Sequence, residues 1–419
     1  MKTIFGIFAV QLCCVAAMAQ TRTVKVTVCN EWNMDKANEP VVVKLNEVKK
    51  LGFEVKSAKV MLAGKEVACQ LDDMNGDLKA DEVFFLTDIR KGEKQVFDVE
   101  LQGATSNLTQ GKADENARIY TALQIRDKQD KHPDVLRVEA AGESFLFNDI
   151  YMHGVTIESD LVGYRIYFDH RQNIDLYGKK YRRIELPETQ FYTSTEQLQQ
   201  GYGVDVLWAG NAIGCGSFKD WKDGQPENWT KVAVRGQRVV TTGALRTVVE
   251  VYDLGVQAED GSTYDMHQYY TLYAGHRDLT VDVQFDKPLD KTFCTGVQKV
   301  GVTAEDSVRR GHTPEGILRT DGIAASWGCD YPDMGKKQVW APEPVGLAVY
   351  VPTEYISGQQ EDELNYLYTI KSGKSNSIRY YISFCADKEE QGYHSAKEWF
   401  ASLDNWKENV NHPVQVKWQ

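Results

Sequence analysis

The sequence has none of the short motifs that identify the large protease, hydrolase and nucleotide-binding classes. It contains no H-E-x-x-H, no G-x-S-x-G and no P-loop, so zinc-protease, serine-hydrolase and ATPase activities are not indicated. The glycines at 210, 214 and 216 do not follow G-x-G-x-x-G spacing and precede no helical pattern, which argues against a dinucleotide site. No C-x-x-C pair occurs, so zinc-ribbon and thioredoxin chemistry are unsupported as well.

Positive charge is also scarce. The 419 residues include 48 lysines and arginines against 60 aspartates and glutamates, which is a formal net charge of −12. An acidic surface disfavours nucleic acid and anionic membrane as partners. A chain of this length exceeds one ordinary core, so we expect two domains or one large sandwich with an appendage.

Long apolar runs are missing. The apolar stretch at residues 4–15 is too short to span a bilayer, so we predict no transmembrane segment. Lys2 precedes this stretch and Ala17-Met18-Ala19 follows it, as in a secretory signal peptide. We therefore predict a signal peptide at residues 1–19, cleavage after Ala19, and a periplasmic or extracellular product. A lipoprotein modified at Cys13 or Cys14 is the less favoured alternative.

Short stretches of strand-forming residues separated by turns make up most of the remaining sequence. Examples are residues 24–28, 41–45, 96–101, 245–252, 279–285, 346–351 and 377–384. One helix is predicted near the end, where Ser395 and Glu398 form a capping box before an apolar stripe. The polar stretch 103–116 is the best boundary, and it separates an N-terminal β domain, 20–110, from a larger β domain, 115–419.

An acidic loop in the N-terminal domain has two interpretations. Asp73, Asn75, Asp77 and Asp81 alternate like the first ligands of a calcium loop, which predicts a structural calcium site. However, residue 78 is Leu where such loops have glycine, and residue 84 is Phe where they have a bidentate Glu. The favoured alternative is a hairpin turn rich in Asp and Asn before the strand 83–86. No other cofactor is expected.

The segment 162–171 is the most informative stretch. Read as one strand, it has an apolar face and a second face that carries Arg165, Tyr167, Asp169 and Arg171. Guanidinium groups can hold a carboxylate or a sulfate through paired hydrogen bonds, and a tyrosine can stack on a sugar or donate a proton. A solvated outer face or a structural ion-pair network is the alternative interpretation.

Other residues extend this candidate site. His153 and Glu158 lie just upstream, and a histidine can act as a general base near neutral pH. His267 and Tyr269 share one face of a predicted strand at 265–273. Trp327 belongs to an aromatic, polar segment that we predict to be a loop bordering the cleft, although packing in the core is an equal alternative for it.

The sequence resembles a family of secreted bacterial proteins of unassigned function that accompany polysaccharide-degrading enzymes. The similarity involves the stretch from His153-Gly154 to Tyr177-Gly178, the segment Thr242–Arg246, and the acidic loop before residues 83–86. The resemblance implies a large antiparallel β-supersandwich of the galactose-mutarotase type, in addition to the small N-terminal β-sandwich and the C-terminal helix. Relatives of that fold include mutarotases, lyases and non-catalytic domains, so the fold does not choose among them.

Together these observations predict a protein that acts on an acidic, uronate-containing polysaccharide or oligosaccharide. In a lyase, Arg165 and Arg171 hold the uronate carboxylate, His153 or His267 is the base, and Tyr167 is the acid. In a glycosidase, Glu158 and Asp169 form the carboxylate pair. Tyr269 and Trp327 contact the sugar in either case. The alternatives are a non-catalytic glycan-binding protein and a sugar mutarotase or epimerase.

Overall fold

The computed structural model describes residues 20–104, 118–127, 129, 131–144, 146–301, 314–330, 342–373 and 375–419. The predicted signal peptide, residues 1–19, lies outside these residues, as does the predicted boundary stretch 103–116 apart from its first two residues. Strands account for 51% of the residues and helices for 9%, so the predicted all-β class is confirmed. None of the described helices is long and apolar enough to cross a membrane.

The elements are numbered in chain order. The strands are β1 (Thr21–Cys29), β2 (Lys36–Lys44), β3 (Ser57–Leu62), β4 (Lys65–Val67), β5 (Cys69–Asp72), β6 (Glu82–Ile89), β7 (Lys94–Gln102), β8 (Ile119–Ile125), β9 (Arg137–Ala141), β10 (Ile150–Ser159), β11 (Val162–Tyr167), β12 (Ile174–Gly178), β13 (Val204–Asp205), β14 (Lys219–Lys222), β15 (Gln225–Glu227), β16 (Val234–Thr242), β17 (Arg246–Gln257), β18 (Thr263–Tyr273), β19 (Leu279–Phe285), β20 (Phe293–Gln298), β21 (Glu315–Leu318), β22 (Ile323–Asp330), β23 (Glu343–Tyr350), β24 (Ile356–Glu361), β25 (Asn365–Ile370), β26 (Ser377–Ala386) and β27 (Gln415–Trp418). The helices are α1 (Leu186–Thr189), α2 (Thr195–Gln199) and α3 (Ala396–Asn411), with 3-10 turns at Leu45–Glu47 and Thr353–Tyr355.

Two sheets form the N-terminal part. A five-stranded sheet, β27-β1-β7-β3-β4, packs against a three-stranded sheet, β2-β6-β5, around one apolar core. Alternation puts Val24, Val26 and Val28 of β1 into this core, while the residues between them are more exposed. The last strand, β27, pairs antiparallel with β1, so the C-terminus returns to this sheet, although the sequence-based boundary placed it with the larger domain.

Three sheets form the larger part. A nine-stranded antiparallel sheet, β21-β22-β23-β26-β19-β18-β17-β16-β9, lies opposite two five-stranded sheets, β13-β12-β11-β10-β8 and β15-β14-β20-β25-β24. All three sheets contribute side chains to one continuous apolar core, for example Tyr164, Tyr270 and Tyr368. We call the sheet β13-β12-β11-β10-β8 the site sheet, because its outer face carries the residues discussed below.

The predicted C-terminal helix is present as α3. The Ser395 hydroxyl accepts a hydrogen bond from the Glu398 amide at 3.3 Å, which begins the helix. Its apolar stripe places Trp399 and Leu403 against β22 and β23. Trp327 lies in that contact on β22, 4% exposed, so it belongs to a buried strand and packs in the core, which was the alternative to the predicted cleft loop.

Candidate functional site

A cluster of charged and aromatic side chains lies on the outer face of the site sheet. In β11, Tyr164 and Ile166 face the core, so Arg165 and Tyr167 face outward. Arg165 pairs with Asp175 opposite it on β12 and donates to Asp175 Oδ2 from Nε at 3.1 Å. A second carboxylate, Asp205, lies 3.5 Å from Arg165 Nη2. We call Arg165, Tyr167, Asp175, Tyr192 and Asp205 the Arg165 cluster.

Arg165 is held from all sides. Its side chain is 5% exposed, and the guanidinium lies 4.5 Å from the Phe191 ring centroid and 4.9 Å from that of Tyr167. The Tyr167 hydroxyl accepts from Arg165 Nη2 at 2.9 Å and donates to Asp175 at 2.6 Å. Two carboxylates therefore already neutralise this cation, and it is poorly placed to hold a substrate carboxylate as we predicted.

Three rings follow one another beside this cluster. Phe147 stacks on His153 with ring centroids 3.9 Å apart, and Tyr167 lies 5.4 Å from Phe147 and 6.3 Å from His153. All three side chains are half-buried, so each keeps part of its surface accessible to solvent. Tyr192 of the Arg165 cluster is 48% exposed. We call Phe147, His153 and Tyr167 the ring row.

His153 is presented by a bulge in β10. The pairing of β10 with β8 shifts register between Tyr151 and Thr156, and Met152 and His153 have φ values of 57° and 61°. Such left-handed conformations are costly for side chains of this size. Any side chain at Gly154 would collide with the Ile166 carbonyl, which explains the His-Gly pair in the sequence.

Strained backbone is concentrated at this face. Among the described residues, only two pairs of consecutive non-glycine residues have positive φ: Met152–His153 and Gln190–Phe191. The first pair presents His153, and the second places Phe191 on Arg165. Residues held in sparsely populated conformations cluster at functional sites, where the surrounding structure enforces them. The backbone therefore points to the same surface as the side chains.

The protonation state of His153 is set by its surroundings. Nδ1 lies 2.7 Å from the Phe147 carbonyl, which can only accept, so Nδ1 carries the proton and Nε2 is the basic nitrogen. Burial, followed by the positive charges of Arg165 and Arg126, lowers the pKa of His153 below 6.5. The imidazole is therefore neutral near pH 7. No group among the described residues bonds to Nε2.

Arg126 is a residue that the sequence analysis missed. It follows β8, is exposed, and places its guanidinium 5.4 Å from the centroid of Tyr151, the residue two before His153. Within the described part of the chain Arg126 makes no ion pair, unlike Arg165. Its sequence neighbourhood gives no signal, because only the bulge of β10 brings His153 near it. Phe147, Asp175, Tyr192 and Asp205 were missed as well.

Asp169 and Arg171 belong to a turn. We predicted a strand through residue 171, but β11 ends at Tyr167. The Asp169 carboxylate accepts from the Arg171 amide at 2.8 Å and the Gln172 amide at 2.9 Å, which makes a tight turn into β12. Arg171 folds back on Asp169 with a side chain that is 41% exposed.

Glu158 is structural in its contacts. Its side chain is fully buried, pairs with Lys179 at 2.9 Å, and accepts from the amides of Glu185 and Leu186. Burial raises the pKa of Glu158, and the ion pair with Lys179 opposes that rise. Neither Glu158 nor Asp169 therefore presents an open carboxylate, and the two do not face one another across a cleft.

His267 and Tyr269 lie on another surface. In β18 their neighbours Met266, Gln268 and Tyr270 are buried, with Met266 and Tyr270 in the core shared with the site sheet, so His267 and Tyr269 point to the opposite outer face of the molecule. His267 Nδ1 lies 2.7 Å from Glu250, which also accepts from Arg238 at 2.7 Å. The structure thus brings His153, Arg165 and Tyr167 together and leaves His267, Tyr269 and Trp327 elsewhere.

The acidic loop joins β5 to β6 as a hairpin connection. Asp73 accepts from the amides of Gly76 and Leu78, both at 2.7 Å, and Asp81 accepts from the Met74 amide at 2.8 Å. Asn75 and Asp77 accept from the amides two residues further on. In the described residues, no group of three or more His, Cys, Asp or Glu side chains is arranged to hold a metal ion. Calcium binding at this loop stays a prediction.

Solved structures similar to this chain include three sugar-active proteins by their descriptions. Two are from Enterococcus faecalis. A protein of glycosyl hydrolase family 38 has 9% sequence identity and a TM-score of 0.45, with 95% of this chain and 47% of that chain covered. An α-mannosidase has 10% sequence identity and a TM-score of 0.47, with 95% of this chain and 46% of that chain covered. This chain thus spans about half the length of each. A putative aldose 1-epimerase from Klebsiella pneumoniae shares 8% identity over 69% of this chain and 95% of its own, with a TM-score of 0.31.

Sequence comparisons give a family. No curated protein matches the chain. The resemblance noted above pointed to a family without an assigned function. A family model described as "Domain of unknown function (DUF4861)" matches residues 28–416, which is most of the sequence, and the chain therefore belongs to that family.

Proposed function

We propose that this protein acts on carbohydrate at the outer face of the site sheet, with His153 as the reacting base. The observation that carries the proposal is the placement of His153. A strained bulge presents it, the Phe147 carbonyl holds the proton on Nδ1, and its pKa keeps the imidazole neutral near pH 7. The ring row beside it supplies half-exposed aromatic faces of the kind that stack on sugars.

We further propose that the substrate carries a uronate and that the reaction is β-elimination. Arg126 holds the carboxylate, since it is the exposed guanidinium near His153, and this makes the adjacent C5 proton removable. His153 Nε2 takes that proton, the electrons form the C4–C5 double bond, and the C4–O bond breaks. The leaving oxygen keeps the bonding pair and takes a proton from Tyr167, whose phenolate is then reprotonated by solvent.

Tyr167 suits the role of the donor. Burial, followed by the negative charge of Asp175, raises the pKa of Tyr167, so its phenol carries its proton at neutral pH. Arg165 Nη2 lies 2.9 Å from the same oxygen and stabilises the phenolate after proton transfer. Arg165 is thereby a positioning residue instead of the carboxylate-binding residue that the sequence suggested.

Hydrolysis is the weaker catalytic candidate. The carboxylates that we predicted for it, Glu158 and Asp169, are occupied by Lys179 and by turn amides. Non-catalytic glycan binding is the stronger alternative, and the observation in its favour is the ring row with Tyr192, whose aromatic faces could stack on a sugar without any proton transfer.

An assay with acidic oligosaccharides separates these candidates. A lyase generates the ultraviolet absorbance of an unsaturated uronate, a hydrolase generates reducing ends without it, and a mutarotase interconverts anomers without cleavage. We expect elimination, and we expect His153→Gln to lower the rate by roughly 100- to 10,000-fold. His267→Gln is the matched control on the opposite surface and should retain the wild-type rate.

The pH dependence gives a second test. Because His153 must be neutral to accept a proton, the rate should fall as the pH drops through its pKa, which lies below 6.5. Binding without any product, or a full rate in His153→Gln, contradicts the catalytic proposal. Binding without product that is lost in a Tyr192→Ala variant supports the glycan-binding alternative.

We also propose that the chain is exported and processed after Ala19. The proposal rests on the order of Lys2, the apolar stretch 4–15 and Ala17-Met18-Ala19. N-terminal sequencing of the mature protein should begin at Gln20. A lipid-modified Cys13 or Cys14 at the N-terminus would show that the chain is a lipoprotein.

A further inference from the structure

A second polar cavity adjoins the site sheet and takes no part in the mechanism above. It has a volume of about 540 Å³, within the range of about 300–1,000 Å³ that is usual for small-molecule sites. Arg171 and Asn173 form one side of it, and Asn228 and the β14 residue Lys219 lie beside them. Residues 210–213, 224–226 and 362–365 complete the walls. We call this the Lys219 cavity.

Lys219 fixes the direction of two amide groups in this cavity. Its ammonium nitrogen lies 2.9 Å from Asn173 Oδ1 and 2.9 Å from Asn228 Oδ1, and it also donates to the Arg171 carbonyl. Burial lowers the pKa of Lys219 to about 7. In its protonated form the group can only donate, so both asparagines turn their oxygens toward it and their NH₂ groups away. The NH₂ groups of Asn173 and Asn228, together with Arg171, give this side of the cavity an excess of hydrogen-bond donors.

The opposite wall has acceptors instead. Glu363 is exposed at the rim, and Asp362 beside it caps the turn into β25 through the amides of Leu364 and Asn365, both at 2.7 Å. A ligand that spans the cavity therefore needs acceptor oxygens on one side and donor hydroxyls on the other. A sugar residue has both, since every hydroxyl donates and accepts.

The Lys219 cavity is linked to the ring row through paired residues of β11 and β12. The Tyr167 amide donates to the Asn173 carbonyl at 3.1 Å, which extends the pairing of β11 and β12 by one step, so the side chains of Tyr167 and Asn173 lie on the same face. Trp208 borders the cavity at Gly210. It is 46% exposed, and its indole nitrogen lies over Gly210, which is part of the cavity wall.

We propose that the Lys219 cavity is a subsite for a further sugar residue of the chain that reacts at His153, with Trp208 stacking on the sugar at its rim. The inference rests on the proposed carbohydrate function and adds that the substrate is an oligosaccharide longer than a disaccharide. Asn173, Asn228 and Arg171 bind the acceptor oxygens of that residue, including a uronate carboxylate, and the Glu363 side receives its hydroxyls.

The test measures affinity against chain length. Calorimetric titrations with oligogalacturonates from dimer to hexamer use the full chain carrying His153→Gln, so that turnover is slow during the measurement. We expect the hexamer to bind more tightly than the dimer. Asn228→Asp keeps the acceptor for Lys219 but replaces the NH₂ donor by an anionic oxygen, and it should lower the hexamer-to-dimer affinity ratio by about tenfold or more.

A second variant and two controls complete the design. Trp208→Ala removes an exposed ring and should lower the same ratio by about tenfold without loss of folding. Asn33→Asp adds the same charge on the N-terminal part, and Tyr181→Ala removes an exposed ring near the other end of β12; both should leave the ratio unchanged. If the hexamer-to-dimer affinity ratio is unchanged in both Asn228→Asp and Trp208→Ala, the subsite proposal is wrong. In that case, tight binding of the dimer would still support the proposed carbohydrate function. Binding of no oligomer overturns both.

Discussion

Two arginines of this chain have nearly the same chemical partners, yet only one of them borders a candidate site. Arg246 donates to Asp72 from Nε at 2.9 Å and to Glu82 at 2.8 Å, and it lies 4.4 Å from the Phe84 ring centroid. Arg165 likewise has two carboxylates and a ring at 4.5 Å. Both side chains are 5% exposed.

The difference lies in what surrounds each arginine. Arg246 joins the N-terminal sheets to the nine-stranded sheet beside a cavity of about 350 Å³, and its neighbours are hydrogen-bonded to one another across the contact. Gln70 accepts from the Leu245 and Arg246 amides, and Asp72 accepts from Thr241 at 2.7 Å. Around Arg165, by contrast, half-exposed rings and a strained bulge remain open on one side. A buried arginine with two carboxylates is therefore not evidence of a binding site by itself. The evidence comes from neighbouring side chains that remain accessible to a ligand.

The largest expected effect is on the stability that Arg246 and its two carboxylate partners provide. Arg246→Met leaves Asp72 buried without a cation, and we expect the free energy of unfolding to fall by about 3–5 kcal/mol. Urea denaturation measures this change. Arg379→Met is the control, because its ion pair with Asp282 is on the surface and should contribute less than about 1 kcal/mol. Equal losses in the two variants would contradict the assignment of Arg246 as a buried connection between the two parts.

A substitution in the Arg165 cluster should change the reaction rate more than the stability of the protein. Tyr167→Phe removes the proton donor, and we expect the elimination rate to fall by roughly 100-fold or more. The unfolding free energy should change by only about 1 kcal/mol, the usual contribution of a hydrogen bond. Tyr269→Phe, on the opposite surface, should keep the wild-type rate. If Tyr167→Phe turns over normally, the site is not where we place it.

The contact between the two parts should also depend on pH. His276 Nε2 lies 2.9 Å from the Asn38 carbonyl and Nδ1 lies 3.3 Å from Asp278, so both nitrogens face acceptors and the protonated ring satisfies both. Burial lowers the pKa of His276, but the hydrogen bond to Asp278 and the negative charges of Asp278 and Glu39 outweigh it and raise the pKa above 6.5.

The sign of that dependence follows from the raised pKa. The stabilisation is fully present below about pH 6.5, the unfolded-state value, and is lost as the pH rises through the higher pKa of the folded state. Unfolding free energies measured across this window should decline in the wild type, and by less in His276→Gln. A flat wild-type profile over the same window is the contrary result.

The smallest expected effect concerns calcium at the acidic loop. Asp73, Asn75, Asp77 and Asp81 already accept backbone amides, so we expect millimolar calcium to raise the melting temperature by only about one degree. Asp77→Ala should remove even that shift. A rise of many degrees would show that the loop rearranges into a tight calcium site.

Each of the seven stretches first named as strands from the local sequence pattern overlaps a strand of the structure. The predicted strand 279–285 has the same bounds as β19, and Ser395 begins the predicted helix. The strand through residue 171 was wrong because Asp169 accepts two amides and turns the chain, a local preference that outweighed the alternation. Trp327 was misplaced as a loop residue because its burial depends on α3, a partner some 70 residues further along the chain.

The amino-acid sequence by itself determined the all-β class, the C-terminal helix and three members of the candidate site, His153, Arg165 and Tyr167, because alternation, capping and residue chemistry act between neighbours. Only the tertiary structure decided which polar residues meet. It placed His153 near Arg126 through a bulge, gave Arg165 two carboxylates from β12 and β13, and sent His267 to the opposite face. These contacts depend on strand pairing and packing between distant segments, and no local pattern encodes them.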